Sequence, residues 1–191
     1  TEEELREKSD ELDRYFTSSL DLLCIADTGG NFIRLNPEWE RVLGYPIAEL
    51  EGRSLMDFVH EDDREATLEA LGRLDGQEDI LSFENRYRSK DGSYRWIEWR
   101  SKPQGDIIYA AARDITDRKI SEMRLRESEE KFRTLMEQSV DMLFLHDLEG
   151  RIIDVNDIAE KYTGYSREEL LTMSIPDLDP DYYEREDSGR F

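Results

Sequence analysis

The sequence holds one cysteine, Cys24, and only two histidines among 191 residues. A single cysteine excludes an internal disulfide, and its place in an apolar run reads as a small core residue. No apolar run approaches the roughly 18 residues that a membrane-spanning helix needs, and no signal-peptide pattern opens the chain. A phosphate-cradling glycine loop, metal-ligand spacing and the signature of an activated nucleophile are all missing. Cations are short as well: 26 Lys and Arg stand against 47 Asp and Glu, a net charge of −21. Phosphate binding needs clustered Lys and Arg, so nucleic acid is excluded as a direct partner. Acidic residues run along the whole chain. They read as a solvated, self-repelling surface, with a salt-adapted source as the alternative.

What remains is a chain 37% hydrophobic and 38% charged, the balance of globular domains joined by polar helices. It opens at Thr1 without an initiator Met and closes in an acidic stretch at 185–191, so it is expected to be an excerpt. A shift of about 120 positions lays the sequence on itself without a gap. Leu5, Arg6 and Glu7 fall on Leu125, Arg126 and Glu127; Ser19, Asp21 and Leu23 fall on Ser139, Asp141 and Leu143. Asp27, Gly30, Ile33 and Asn36 match Asp147, Gly150, Ile153 and Asn156, and Gly44-Tyr45 match Gly164-Tyr165. One unit is whole and the second is cut.

Within the first copy, residues 2–19 set Leu5, Leu12 and Phe16 at helical spacing in a charged background. Residues 22–26 form an apolar strand, turned by Asp27, Thr28, Gly29 and Gly30 into a returning strand at 32–35. Asn36 and Pro37 open a helix as N-cap and first helical residue, and Gly44 stops it. Short turns at 47–50 and 55–58 precede a longer helix to about residue 74, capped by Asp62 or Asp63. At 82–88, Phe83, Asn85 and Tyr87 alternate with Glu84, Arg86 and Arg88, the period of a half-buried strand. Asp91-Gly92 marks a hairpin. Strands at 94–102 and 107–113 follow, then a charged helix over about 117–137. The order predicts an α+β fold, an antiparallel sheet with helices on one face.

Four blocks then resemble a known family. Asn36-Pro37-Glu38-Trp39-Glu40-Arg41-Val42-Leu43-Gly44-Tyr45 and Phe58-Val59-His60-Glu61-Asp62-Asp63-Arg64 are similar to the helical region of PAS domains. The run from Tyr87 through Lys90-Asp91-Gly92 to Trp96 resembles the C-terminal PAS-associated motif, and Asp114-Ile115-Thr116 resembles the signature that opens the output helix. The resemblance implies a five-stranded sheet in the order 2-1-5-4-3 enclosing a pocket. It divides the chain into a helix at 1–19, a complete domain at 20–116, a connecting helix at 117–138 and a truncated second copy at 139–191. Lacking three strands, that copy is expected to be partly disordered or to pair with another chain. Such domains stand in series ahead of a histidine kinase or a cyclic-dinucleotide enzyme.

The resemblance also bears on cofactors. Haem-binding relatives carry their ligand on the helix after His60, where residues 65–74 hold no histidine, and His146 lies on a strand of the cut copy. Haem is disfavoured. Light-sensing relatives use a cysteine in the helical region, which has none here, so covalent flavin is excluded. Non-covalent flavin stays open, because Trp39 and Asn36 sit near where some flavin-binding relatives place an aromatic and an amide. The plainer reading makes Trp39 core packing and Asn36 a helix cap. On the strands, Phe83, Asn85 and Tyr87 share one face, as do Ile108, Ala110 and Ala112. The alanines leave volume unfilled, and the Asn85 amide needs a partner that a small metabolite could supply. The alternative is a small pocket closed by Trp39, Val42, Phe58 and Leu68, with Asn85 bonded internally or to water. Glu84, Arg86 and Arg88 read as an ordinary solvated face, and no catalytic site is found.

Asp114 or Thr116, flanking Ile115, can accept a hydrogen bond from the first turn of the following helix, joining strand to helix with little slack. Leu5, Lys8, Leu12, Tyr15 and Ser19 follow coiled-coil spacing, as do Leu125, Ser128, Phe132, Leu135 and Ser139. A homodimer through these helices is expected; alternatively each stripe packs on its own domain. The expected function is a sensory and relay module of a cytoplasmic, multi-domain signalling protein, a two-component sensor histidine kinase, acting on an effector domain of the same chain. A ligand-free dimerisation spacer is the alternative.

Overall fold

Alternation and turns build the first sheet hairpin. In the computed structural model, which describes residues 1–179, β1 (Leu22–Asp27) buries Leu22, Cys24 and Ala26 and turns back as β2 (Phe32–Leu35). The Asp27 carboxylate accepts the Asn31 backbone N–H at 2.8 Å, and Gly30, at φ +81°, donates to the Asp27 carbonyl at 2.9 Å. A side chain at Gly30 would meet Leu71 at 3.0 Å as well as an unfavourable backbone, so this turn requires glycine.

The chain falls into two units, Thr1–Ser121 and Glu122–Phe191. In the first, α1 (Glu2–Ser18) precedes the hairpin, and α2 (Glu38–Leu43), α3 (Ile47–Leu50), 3-10 turns at Leu55–Asp57 and Glu61–Asp63, and α4 (Arg64–Asp75) follow it. Three long strands complete the unit: β3 (Ile80–Arg88), β4 (Tyr94–Gln104) and β5 (Ile107–Asp114). The sheet is antiparallel in the order β2-β1-β5-β4-β3, as expected. From its end α5 (Thr116–Gln138) begins. The core centres on Trp39, which is fully buried, with Trp99 at 5.5 Å, Phe32 at 5.6 Å and Tyr87 at 6.1 Å between ring centroids.

Two expected helix caps are used differently. Pro37, not Asn36, occupies the cap position of α2. Asn36 accepts the Leu23 N–H at 2.9 Å and donates to the Asp21 carbonyl at 2.9 Å, because buried backbone groups beside β1 need partners. Asp63 sits at the cap position of α4, but its carboxylate is taken by the Arg86 backbone N–H and guanidinium.

In the second unit β6 (Phe144–His146) pairs with β7 (Ile152–Val155), followed by α6 (Asp157–Thr163), α7 (Arg167–Leu170) and α8 (Ile175–Leu178). Ile152, Val155, Ala159 and Leu170 form its own small core. The sequence repeat recurs bond for bond. Asn156 accepts from Leu143 at 3.0 Å and donates to Asp141 at 2.9 Å, as Asn36 does with Leu23 and Asp21. Asp147 closes the β6–β7 hairpin onto Arg151 at 2.9 Å, as Asp27 does onto Asn31. Asn156 additionally caps α6 through the Ala159 N–H at 3.0 Å, the role expected of Asn36. The acidic end at 185–191, with the rest of 180–191, lies outside the described residues.

Candidate functional site

Inside the first unit α4 lies over the concave face of the sheet and leaves a cavity of about 50 Å³. The helix presents Thr67, Ala70, Leu71 and Leu74 to it. The sheet presents a cross-strand row of small side chains, in which Ala110 pairs with Cys24 on one side and Ser101 on the other. Phe83, Asn85 and Tyr87 of β3 line the wall, as do Trp99 and Ile108. The space suits a few waters or a very small apolar molecule and falls well short of the roughly 300 Å³ of a typical ligand site.

Four of the expected pocket residues therefore stand at the cavity: Phe83, Asn85, Tyr87 and Ala110. Asn36, Trp39, Phe58 and Ala112 are buried in the core beside it and do not line it. Val42 is partly buried and borders clefts on the outside of α2. Leu68 is a correction: it is 57% exposed. Thr67, Ala70, Leu71 and Leu74 make the inward stripe of α4, and Leu68 stands about 100° away from Thr67 around the helix. Cys24 and Ser101 were missed. Their signal lies in strand register, which sets them beside Ala110.

The Asn85 amide has its partners within the protein. Trp99 Nε1 donates to Asn85 Oδ1 at 2.8 Å, Asn85 Nδ2 donates to Thr67 Oγ1 at 3.1 Å, and that hydroxyl donates to the Asp63 carbonyl at 2.7 Å. Burial pushes the Cys24 thiol and the Tyr87 phenol well above their ordinary pKa values, so both stay neutral. His60 lies off the cavity, accepting from the Asp62 N–H at 3.2 Å and meeting the Tyr94 ring at 4.5 Å. His146 is exposed on β6. Among the described residues no three metal-ligating side chains gather.

The outer face of β3 is not simply solvated. Glu84 accepts from Arg118 at 2.9 Å and also pairs with Lys119, both on the first turn of α5. Arg86 holds Asp63, at the start of α4, at 2.6 Å. Strand-to-helix passage from β5 to α5 is equally tight. Ile115 N–H donates to the Trp96 carbonyl at 2.8 Å, Trp96 N–H donates to Thr116 Oγ1 at 2.9 Å, and Thr116 N–H donates to Asp114 Oδ1 at 2.9 Å. Much of the apolar stripe on α1 and α5 is exposed: Leu5 is 74% and Leu135 68% exposed, with Leu12, Leu125 and Phe132 exposed too.

A sheet cupped under helices and drawn straight into a long helix defines an α+β module of the sensory type. Residues 32–109 match the family profile described as PAS fold, and residues 130–191 match the one described as PAS domain. The chain belongs to the PAS-domain family and carries two copies. It is 28% identical over 165 residues to sporulation kinase E of Bacillus subtilis (strain 168), covering 85% of this chain and 22% of that protein. The chain thus spans about a fifth of that relative. The PAS domain of an HTR-like protein from Haloarcula marismortui is 29% identical, with a TM-score of 0.53, covering 60% of this chain and 97% of that one. A sensory box histidine kinase/response regulator from Burkholderia thailandensis E264 is 27% identical at a TM-score of 0.53, covering 65% and 99%.

Hydrogen bonds from the Arg86 guanidinium hold the Asp63 carboxyl below its ordinary value of 3.8, outweighing its partial burial. A depressed native pKa adds stability that is present above the unfolded value and lost as pH falls through the native one. Urea unfolding is expected to show Arg86→Gln less stable than the parent at neutral pH. The gap should shrink as pH drops below about 3.8 and Asp63 protonates in both. A gap independent of pH would contradict the linkage.

Proposed function

We propose that this chain is the sensory and relay segment of a multi-domain sensor histidine kinase, placed in the cytoplasm and working as a homodimer. No helix among the described residues is long and apolar enough to cross a membrane. One observation supports the relay above the rest. Successive residues of β3 serve different partners: Asn85 faces the cavity, while Glu84 binds the first turn of α5 and Arg86 the start of α4. Side chains of a strand alternate between faces, so a shift of β3 that accommodates a ligand also displaces the anchor of the output helix. The kinase relatives support the effector, and the exposed stripes with 3–4 spacing support the seam.

A ligand-free spacer is favoured by a separate observation, the small cavity with its internally satisfied amide. Native mass and absorption spectra of the purified chain separate the two. A stoichiometric small molecule is the outcome expected for a sensor, and an empty chain at every preparation supports the spacer.

For the relay, Glu84→Gln is expected to raise amide hydrogen exchange at 116–121 several-fold while leaving β1 and β5 protected. Unchanged exchange there would sink the coupling. For the dimer, Leu12→Asp combined with Leu125→Asp is expected to weaken self-association at least tenfold in sedimentation equilibrium. A parent chain that stays monomeric at high concentration rejects the seam.

A further inference from the structure

Two buried polar atoms of the first unit have no hydrogen-bond partner among the described residues, Ser89 Oγ and Arg95 Nε. Buried polar atoms are nearly always satisfied, so two orphans in one place need a cause. Both residues line the same surface cleft, about 450 Å³, between the end of α2 and the β3–β4 turn. Arg41 and Lys90 line it as well, so three cationic side chains meet in a chain of net charge −21. The one carboxylate there, Asp91, is turned back onto its own turn, accepting the Ser93 N–H at 2.9 Å and the Ser93 hydroxyl at 2.6 Å. Lys90 is held only by an exposed pair with Glu49, which contributes little, whereas Arg41 is tied by two hydrogen bonds to the nearly buried Glu38 carboxylate and adds its charge from there. Arg95 pairs with Asp114 at 3.6 Å, beyond a true hydrogen bond, and its charge is also felt by Asp91.

We propose that this cleft binds a small oxyanion, a phosphoryl or carboxylate group, with Arg95 as its principal ligand. The guanidinium has donors in a planar fork suited to two oxygens, and Nε is the donor left unmet. Ser89, only 5% exposed, adds a buried hydroxyl without a partner at the cleft wall. Lys90 and Arg41 flank the charge. The site is separate from the inner cavity, which shares none of these residues. It touches the output junction, because the Asp114 carboxylate that faces Arg95 also holds Thr116, the first residue of α5.

The test is a titration of the full chain with inorganic phosphate, and in parallel with acetate, at ionic strength held constant by sodium chloride. Amide NMR should show saturable shifts at Ser89, Lys90 and Gly44, with a midpoint on the order of millimolar. Stronger binding by phosphate assigns a phosphoryl ligand and stronger binding by acetate a carboxylate. Arg95→Gln is expected to weaken either at least tenfold. Should that variant not fold, Ser89→Ala and Lys90→Gln each weaken binding threefold or more. Non-saturating shifts with both anions, or midpoints unmoved by every folded variant, overturn the proposal.

Discussion

The hydrogen bond from Trp99 to Asn85, carried on through Thr67 to the Asp63 carbonyl, ties the helix over the sheet to the sheet itself. Each member is buried or partly so, and leaving any one unpaired costs more than the bond contributes when made. The chain of donors therefore fixes more than one side chain. It sets the height of α4 above β3 and β4, and with it the volume enclosed beneath. Arg86 then grips Asp63 from the other side of the same strand, so the start of α4 is held from within and without.

Much of the fold was legible because turns and alternation are local. Asp27 to Gly30, Asp91-Gly92 and the period-two pattern of β3 each act over a few residues, and the strand order follows once the family resemblance is seen. The site was legible only in part. Asn85, Tyr87, Phe83 and Ala110 declare themselves by facing one side of their strands, but Cys24 and Ser101 join them through pairing across the sheet. Leu68 was misplaced because one step along a helix turns the side chain by about 100°, enough to move it from lid to solvent. Asn36 was misread as a cap because its stronger obligation lies across a gap of 13 residues, to the Leu23 N–H. The Glu84 anchor spans 34 residues to Arg118, and nothing in the alternation of β3 points to it.

The two units share a construction rule that goes deeper than sequence identity. Asn36 and Asn156 make the same two bonds to the strand ahead of them, and Asp27 and Asp147 close the same turn. These are the positions where a backbone donor or acceptor loses water and must be met by protein, so they tolerate little change. Between them Gly30 and Ile33 recur as Gly150 and Ile153, while the other residues differ. The second unit keeps its opening hairpin and core with its own set of apolar side chains.

The apolar stripe of α5 repeats that of α1 position for position: Leu5 corresponds to Leu125, Leu12 to Phe132 and Tyr15 to Leu135. Helix and domain have thus been copied together as a single length of chain. An architecture made this way can grow by whole increments, since each added increment would bring its own greasy edge along with the fold that it serves.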